Sequence, residues 1–465
     1  METAVTNRSF ARWPGIAGAA VLATALAACS STASTSSSAS ASASGSKAAD
    51  TPASASGSQS TDASASASES PSASESPSSD VSGNIQLYQN KLEAADTYKE
   101  LIANFEKANP NIKVELISSP DGTDTLLNAR LAKNQIPDVI ADGGGGYPGL
   151  VKDNILVDLT GSQAAASVTD KNSPAVLAKA AGTDKAWALP LSTNAQVVLY
   201  NKDVYKQLGL EVPTTWTQML SNAAAAQKTG VPGFFFTWKD AWTARVIWNA
   251  VGGQLQGPDF LSKLQDGSVT FSNSPAWQQA ADKMLELKKY GQPDPFGATY
   301  NDGNAALAAG KAAMYVQGIW AIPEVLKANP KANIGLFPMP VTDDPSQTVV
   351  LSAPDQVIGI SKTSKHPEAA QKFVEYMVSK EGQTIYANGQ HLFSVRDDVT
   401  LSDPMLADLQ TNWMSKGRAA AYPDLMFRGP GGDDVMAQVQ SFLRDGDKAT
   451  LLKGLDADWA SSGVK

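Results

Sequence analysis

Apolar residues fall into a regular pattern just after residue 83. Ile85 and Leu87 alternate with polar neighbours, which predicts a strand. Tyr98, Leu101, Ile102 and Phe105 then recur at helical spacing behind Asp96 and Thr97, either of which can cap a helix N-terminus. Asn109-Pro110-Asn111 stops that helix, and Ile112, Val114 and Leu116 alternate as a second strand. Pro137-Asp138-Val139-Ile140 reads as another short, buried strand. A strand–helix–strand opening predicts an α/β layer with a mainly parallel sheet. The same grammar continues. Ala195 to Tyr200 reads as a strand. Helices open at Pro213-Thr214-Thr215-Trp216, at Ser274-Pro275 (with Trp277, Ala281, Met284 and Leu287, stopping at Gly291), and at Pro367, with Ala370, Phe373, Val374 and Met377 on one face.

Upstream of residue 83 the pattern is of another kind. Arg8 and Arg12 precede an apolar run of small residues, Gly15 to Ala28. That run is well short of the roughly 20 residues a membrane-spanning helix needs, so residues 1–28 read as an export signal. Cys29 is the only cysteine in the chain, and it follows directly. Leu26-Ala27-Ala28-Cys29 resembles the lipobox of bacterial lipoproteins, which implies a lipid-modified thiol at the mature N-terminus. No thiol then remains for a disulfide, a redox couple or a thiolate metal site. Residues 29–83 are nearly all Ser and Ala and lack the apolar side chains that would offset ordering entropy, so a disordered tether is expected. The formal net charge of -9 over 465 residues favours solubility and argues against a nucleic-acid surface, which wants a basic face.

Several stretches resemble one family in order and spacing. They are Ile112-Lys113-Val114 behind FEKANPN, Pro137-Asp138-Val139, Leu189-Pro190 leading to Leu199-Tyr200-Asn201-Lys202-Asp203, Pro213-Thr214-Thr215-Trp216, Gly310-Lys311-Ala312-Ala313-Met314, Gly318-Ile319-Trp320, and His366-Pro367-Glu368-Ala369-Ala370. Together they look like the extracellular solute-binding proteins of carbohydrate ABC importers, the relatives of maltose-binding protein. LYQNK, FFFTWKDAWT and MFRGPGG are similar to binders of raffinose-type and other α-linked oligosaccharides. The resemblance implies an α/β fold of the two-lobed periplasmic-binding-protein type II, with a hinge crossed about three times. Carried over, the first lobe is residues 84–191 plus 314–354 and the second is 192–313 plus 355–465. It also implies a carbohydrate ligand, a membrane permease as partner, attachment to the outer face of the membrane through Cys29, a monomeric working unit and no cofactor.

A pyranose offers apolar C–H faces and a rim of hydroxyls, so it suits an aromatic platform edged by carboxylates and amides. Trp320, beside Gly318, is the first candidate platform. Trp238, Asp240 and Trp242 form a second cluster, with Asp240 and Trp242 matching family contact positions; Trp248 and Trp277 read as core. Asn194 matches a polar hinge position where relatives often carry a carboxylate. Gln89 and Asn90 end the first strand, where α/β sheets place ligand groups. Gly143 to Gly146 are four consecutive glycines flanked by the candidates Asp142 and Tyr147; they lack the Gly-Lys-Ser/Thr ending of a phosphate loop. Asp355, in SAPDQVIGIS, and Phe427 with Arg428 complete the expected set.

Two other classes compete. A secreted glycoside hydrolase uses tryptophans and paired carboxylates, yet no acid/base pair stands out and the motif order goes unexplained. A binder of another solute is the second, since fold does not fix ligand. Sugar phosphates would want more cations than Arg428, Lys91 and Lys239, whereas polyamines suit acids and aromatics. The two histidines, His366 and His391, are distant in sequence and make no metal or nucleophile motif.

Overall fold

A computed structural model describes residues 81–462 apart from 121, 123, 171 and 428–430. The export signal, Cys29, all but the end of the tether, and Arg428 lie outside the described residues. Among the described residues, ten strands form two five-stranded sheets, each with helices packed on it. The strands are β1 (Gly83–Gln89), β2 (Ile112–Ser118), β3 (Val139–Gly143), β4 (Leu189–Pro190), β5 (Thr193–Asn201), β6 (Met314–Gly318), β7 (Ile334–Phe337), β8 (Val350–Pro354), β9 (Gln356–Ile360) and β10 (Ala419–Ala420).

The first sheet has the order β2-β1-β3-β9-β4. β1 pairs in parallel with β2 and β3, Ile85 opposite Val114 and Leu87 opposite Val139, so their alternate apolar side chains share the buried faces. The helix Ala95–Ala108 buries Tyr98, Leu101, Ile102 and Phe105, the four residues whose spacing predicts it. Its start differs from the sequence reading. A single 3-10 turn, Leu92–Ala94, leads into it, so neither Asp96 nor Thr97 caps it; Asp96 pairs with Lys99 and Thr97 Oγ1 accepts from Gln390.

The second sheet is built around β5. β6 runs antiparallel along one edge; β8 takes the first half of the other edge and β7 the second half. β10 extends β8 in parallel. One strand in each sheet opposes the rest, β9 in the first and β5 in the second. These are the strands entered straight from the other sheet. β4 leads into β5, and β8 leads through Asp355 alone into β9.

The expected lobe boundaries need correction here. Residues 314–354 supply β6, β7 and β8, whose backbone groups satisfy both edges of β5, so they belong to the second lobe. Residues from 355 supply β9 and the helices Pro367–Met377 and Lys380–Gln390. Phe373 packs edge-on against Phe105 and Tyr386 against Tyr98, which places both helices on the first lobe. The chain passes back to the second lobe between Phe393, which bridges Thr193, and β10. The helices Gly431–Asp445 and Lys448–Ser461 then pack with Ala241–Leu255 and Pro275–Lys288. The hinge is thus crossed three times, the second time at residue 355.

Candidate ligand-binding site

The C-terminal end of β1, the turn after β3, the Asp355 crossing and the segment after β6 all come to the junction between the lobes. This is where open α/β sheets present ligand groups. Asn90, just past β1, is the centre of the first-lobe side. Its Nδ2 donates to Asp142 Oδ1 at 2.5 Å and to Asp124 Oδ1 at 2.8 Å, and its Oδ1 accepts from Gln356 Nε2 at 3.2 Å. Gln356 is in turn fixed by Tyr98 and Tyr386, whose hydroxyls both donate to its Oε1 at 2.7 Å. The four-glycine turn beyond Asp142 faces the second lobe: a Cβ on Gly145 would lie 3.9 Å from the Arg245 guanidinium.

Asp355 ties this side to the hinge. Its Oδ1 accepts from Asn194 Nδ2 at 2.8 Å, and its Oδ2 pairs with the Lys91 ammonium. Lys91 Nζ also lies 3.8 Å from Glu93 Oε1. Burial pushes the Glu93 carboxyl above the usual range, Lys91 pulls it back, and Asp355 and Glu324 raise it again. Asn194 Oδ1 accepts from the Tyr422 hydroxyl, which arrives on the third passage of the chain. Two residues on, Asp424 Oδ2 is 3.2 Å from Arg245 Nε.

On the second-lobe side, Trp242 is half-buried and its ring meets Tyr300 at 4.9 Å, while Asp240 Oδ2 accepts from the Tyr300 backbone N–H at 2.7 Å. Asp240 therefore joins the start of the helix Ala241–Leu255 to the start of Tyr300–Ala308. Trp320 follows β6 and lies flat on Gly318; a Cβ there would come within 1.9 Å of the ring, so only glycine admits it. The indole is 8% exposed, and its Nε1 has no hydrogen-bond partner among the described residues. Gln196 pairs with Gly318 across β5 and β6, on the same sheet face, and its buried Oε1 likewise lacks a partner. One donor and one acceptor are thus left over beside a stacking surface. A solute hydroxyl can serve either.

Of the residues singled out from the sequence, Asn90, Asp142, Asn194, Asp240, Trp242, Trp320 and Asp355 reach this junction. Four do not. Trp238 is 1% exposed and stacks on Phe236 at 4.5 Å in the second-lobe core, because the helix begins only at Ala241 and leaves it in the preceding loop. Phe427 packs on Phe271 and Trp459 beside the stacked pair Trp248 and Trp277. Tyr147 is buried with Tyr88, Leu127 and Ile140. Gln89 is fully buried, accepting from the Lys91 N–H and donating to Ser118. Arg428 lies outside the described residues. Sequence reasoning missed Gln196, Arg245, Tyr300, Tyr422 and Asp424, and it weighed Lys91 only as a cation for anionic ligands.

The model of the bacterial extracellular solute-binding protein family matches residues 90–384, more than half of the chain, and the chain belongs to that family. It is a family of binding proteins acting outside the cytoplasm. A multiple sugar-binding protein of Streptococcus mutans is 28% identical over 314 residues, covering 65% of this chain and 72% of that protein. The melibiose/raffinose/stachyose-binding protein MelE of Bacillus subtilis is 23% identical over 291 residues, 61% of this chain and 66% of its own. Among solved structures, RafE in complex with raffinose matches 82% of this chain and 100% of its own with a TM-score of 0.70 at 24% identity. The apo form of RafE from Streptococcus pneumoniae matches with a TM-score of 0.65, again at 24% identity, over 83% of this chain and 99% of its own. The shared fold is the two-lobed α/β architecture described above.

Proposed function

We propose that this chain captures a neutral mono- or oligosaccharide, of the α-linked raffinose type, between its lobes and delivers it to the permease of an ABC importer, without chemistry on the sugar. The observation that carries the reading is the Trp320 ring laid on Gly318 at the lobe junction, with Gln196 on the same sheet face and its Oε1 unpartnered among the described residues. A sugar's C–H face would lie on the ring and a hydroxyl would donate to that oxygen. Trp242, Asp240, Asn90, Asn194 and Asp355 would supply the remaining contacts from both lobes. Contacts to both lobes favour the closed state over the open one, so capture and closure are one equilibrium. The sugar-binding relatives support the ligand class, and the lipobox-like Cys29 supports a lipid anchor on the outer face of the membrane.

A thermal-shift screen against neutral sugars, with raffinose, stachyose and melibiose included, tests the reading. A ligand that prefers the native state raises the melting temperature. Chromatography of the incubated sugar distinguishes binding from hydrolysis. Release of monosaccharides would make the chain an enzyme and overturn the proposal.

A further inference from the structure

The junction holds more buried acid than a neutral solute requires. The side chains of Glu93, Asp355 and Asp424 are 10%, 9% and 7% exposed. Glu324 adds to the same field from the second lobe. Glu324 has Lys327 as its partner at 3.3 Å, and two further cations stand against Glu93, Asp355 and Asp424. Arg245 takes Asp424, and Lys91, itself 9% exposed, takes Asp355 with Glu93 at 3.8 Å. Lys91 is held to that task from behind, because its backbone N–H donates to Gln89 Oε1 at 2.7 Å. Tyr300 lies within the field of Glu93 and Glu324, and the Trp242 ring meets it at 4.9 Å. Carboxylates next to aromatic faces bind an organic ammonium as readily as they bind a hydroxyl rim. The composition of the site therefore does not by itself separate a neutral sugar from an amino sugar or a polyamine.

We infer that Lys91 is the charge-selectivity determinant of the site. Its ammonium occupies the position that a cationic solute would take against Asp355 and Glu93, so neutral solutes are admitted and cationic ones are refused. An arriving ammonium must displace Lys91, or else share a desolvated pocket with a like charge; either is unfavourable. Without Lys91 the two carboxylates would face the solute uncompensated. This inference rests on the junction being the solute site, as proposed above, but not on the solute being a sugar.

The test compares the wild type with Lys91→Gln by calorimetric titration, using spermidine and the deacetylated disaccharide of glucosamine as cationic probes. The wild type is expected to give no saturable heat with either probe. Folded Lys91→Gln is expected to gain affinity for at least one of them by about tenfold or more. Saturable binding of either probe by the wild type, or no gain in the folded variant, overturns the inference. If Lys91→Gln does not unfold cooperatively, Asp355→Asn decides instead. Combined with Glu93→Gln it frees Lys91 of both partners, so the double variant must gain affinity for glucose 6-phosphate and none for spermidine; failure of either half overturns the inference. A wild type that binds no carbohydrate would sink the proposed function while leaving the Lys91→Gln comparison meaningful.

Discussion

Asn194 and Asp355 meet where the chain passes between the lobes: Asn194 Nδ2 donates to Asp355 Oδ1 at 2.8 Å. Asn194 stands near the start of β5, on the first passage, and Asp355 is the single residue of the second. Tyr422 comes from the third and donates to Asn194 Oδ1. One amide therefore ties together all three crossings. Asn194→Ala should leave the buried Tyr422 hydroxyl without its acceptor and Asp355 short of a donor. A loss of about 1–3 kcal/mol of stability is expected, read by denaturant titration. Unchanged stability would mean that the amide is not structural.

Trp320→Ala removes the proposed platform and should weaken carbohydrate binding by about 2 kcal/mol, roughly thirtyfold in affinity. Calorimetry with a sugar found by the thermal-shift screen checks this. Affinity unchanged within twofold would show that the ring is packing only.

Trp238→Ala and Trp277→Ala should behave in the opposite way. Both rings are 1% exposed and stacked on other aromatics, Trp238 on Phe236 and Trp277 on Trp248. Each truncation should cost about 3–5 kcal/mol of stability and leave the affinity of the folded fraction unchanged. Thermal melts and titrations on the same samples separate the two effects.

Glu93 gives a pH dependence of definite sign. Burial first, with Asp355 and Glu324 adding to it, holds its folded pKa above the ordinary value despite Lys91. The folded state therefore binds this proton more tightly than the unfolded one. The resulting stability is fully present below the ordinary glutamate range and is lost as pH rises through the raised value. Glu93→Gln mimics the protonated side chain. Its stability relative to wild type should be near zero at about pH 4 and should move in the variant's favour by about pH 7. Denaturant midpoints at both pH values measure it; a difference independent of pH would contradict it.

The periodicity of apolar residues was enough to find β1, β2, β5 and the helices at 275–288 and 367–377, because each buries a face whose spacing is local. It could not tell which sheet a strand joins. β8 and β9 are consecutive and both apolar, yet they belong to different lobes, since pairing depends on edges set far away in the chain. The site divides in the same way. Trp238 and Trp242 are four residues apart and look equivalent in sequence, but the helix start at Ala241 separates a core ring from a junction ring. Gln196 and Tyr422 carry no local mark of function, because what matters in each case is a partner reached only through the fold.

The central claim is that the junction closes over a neutral saccharide lying on Trp320. Calorimetric titration of the wild type with raffinose, stachyose and melibiose, each run in parallel with Trp320→Ala, tests it most directly. Saturable one-to-one binding of at least one sugar by the wild type, weakened in the variant, is the predicted result. No heat with any of the three, or equal affinity in both proteins, would contradict it.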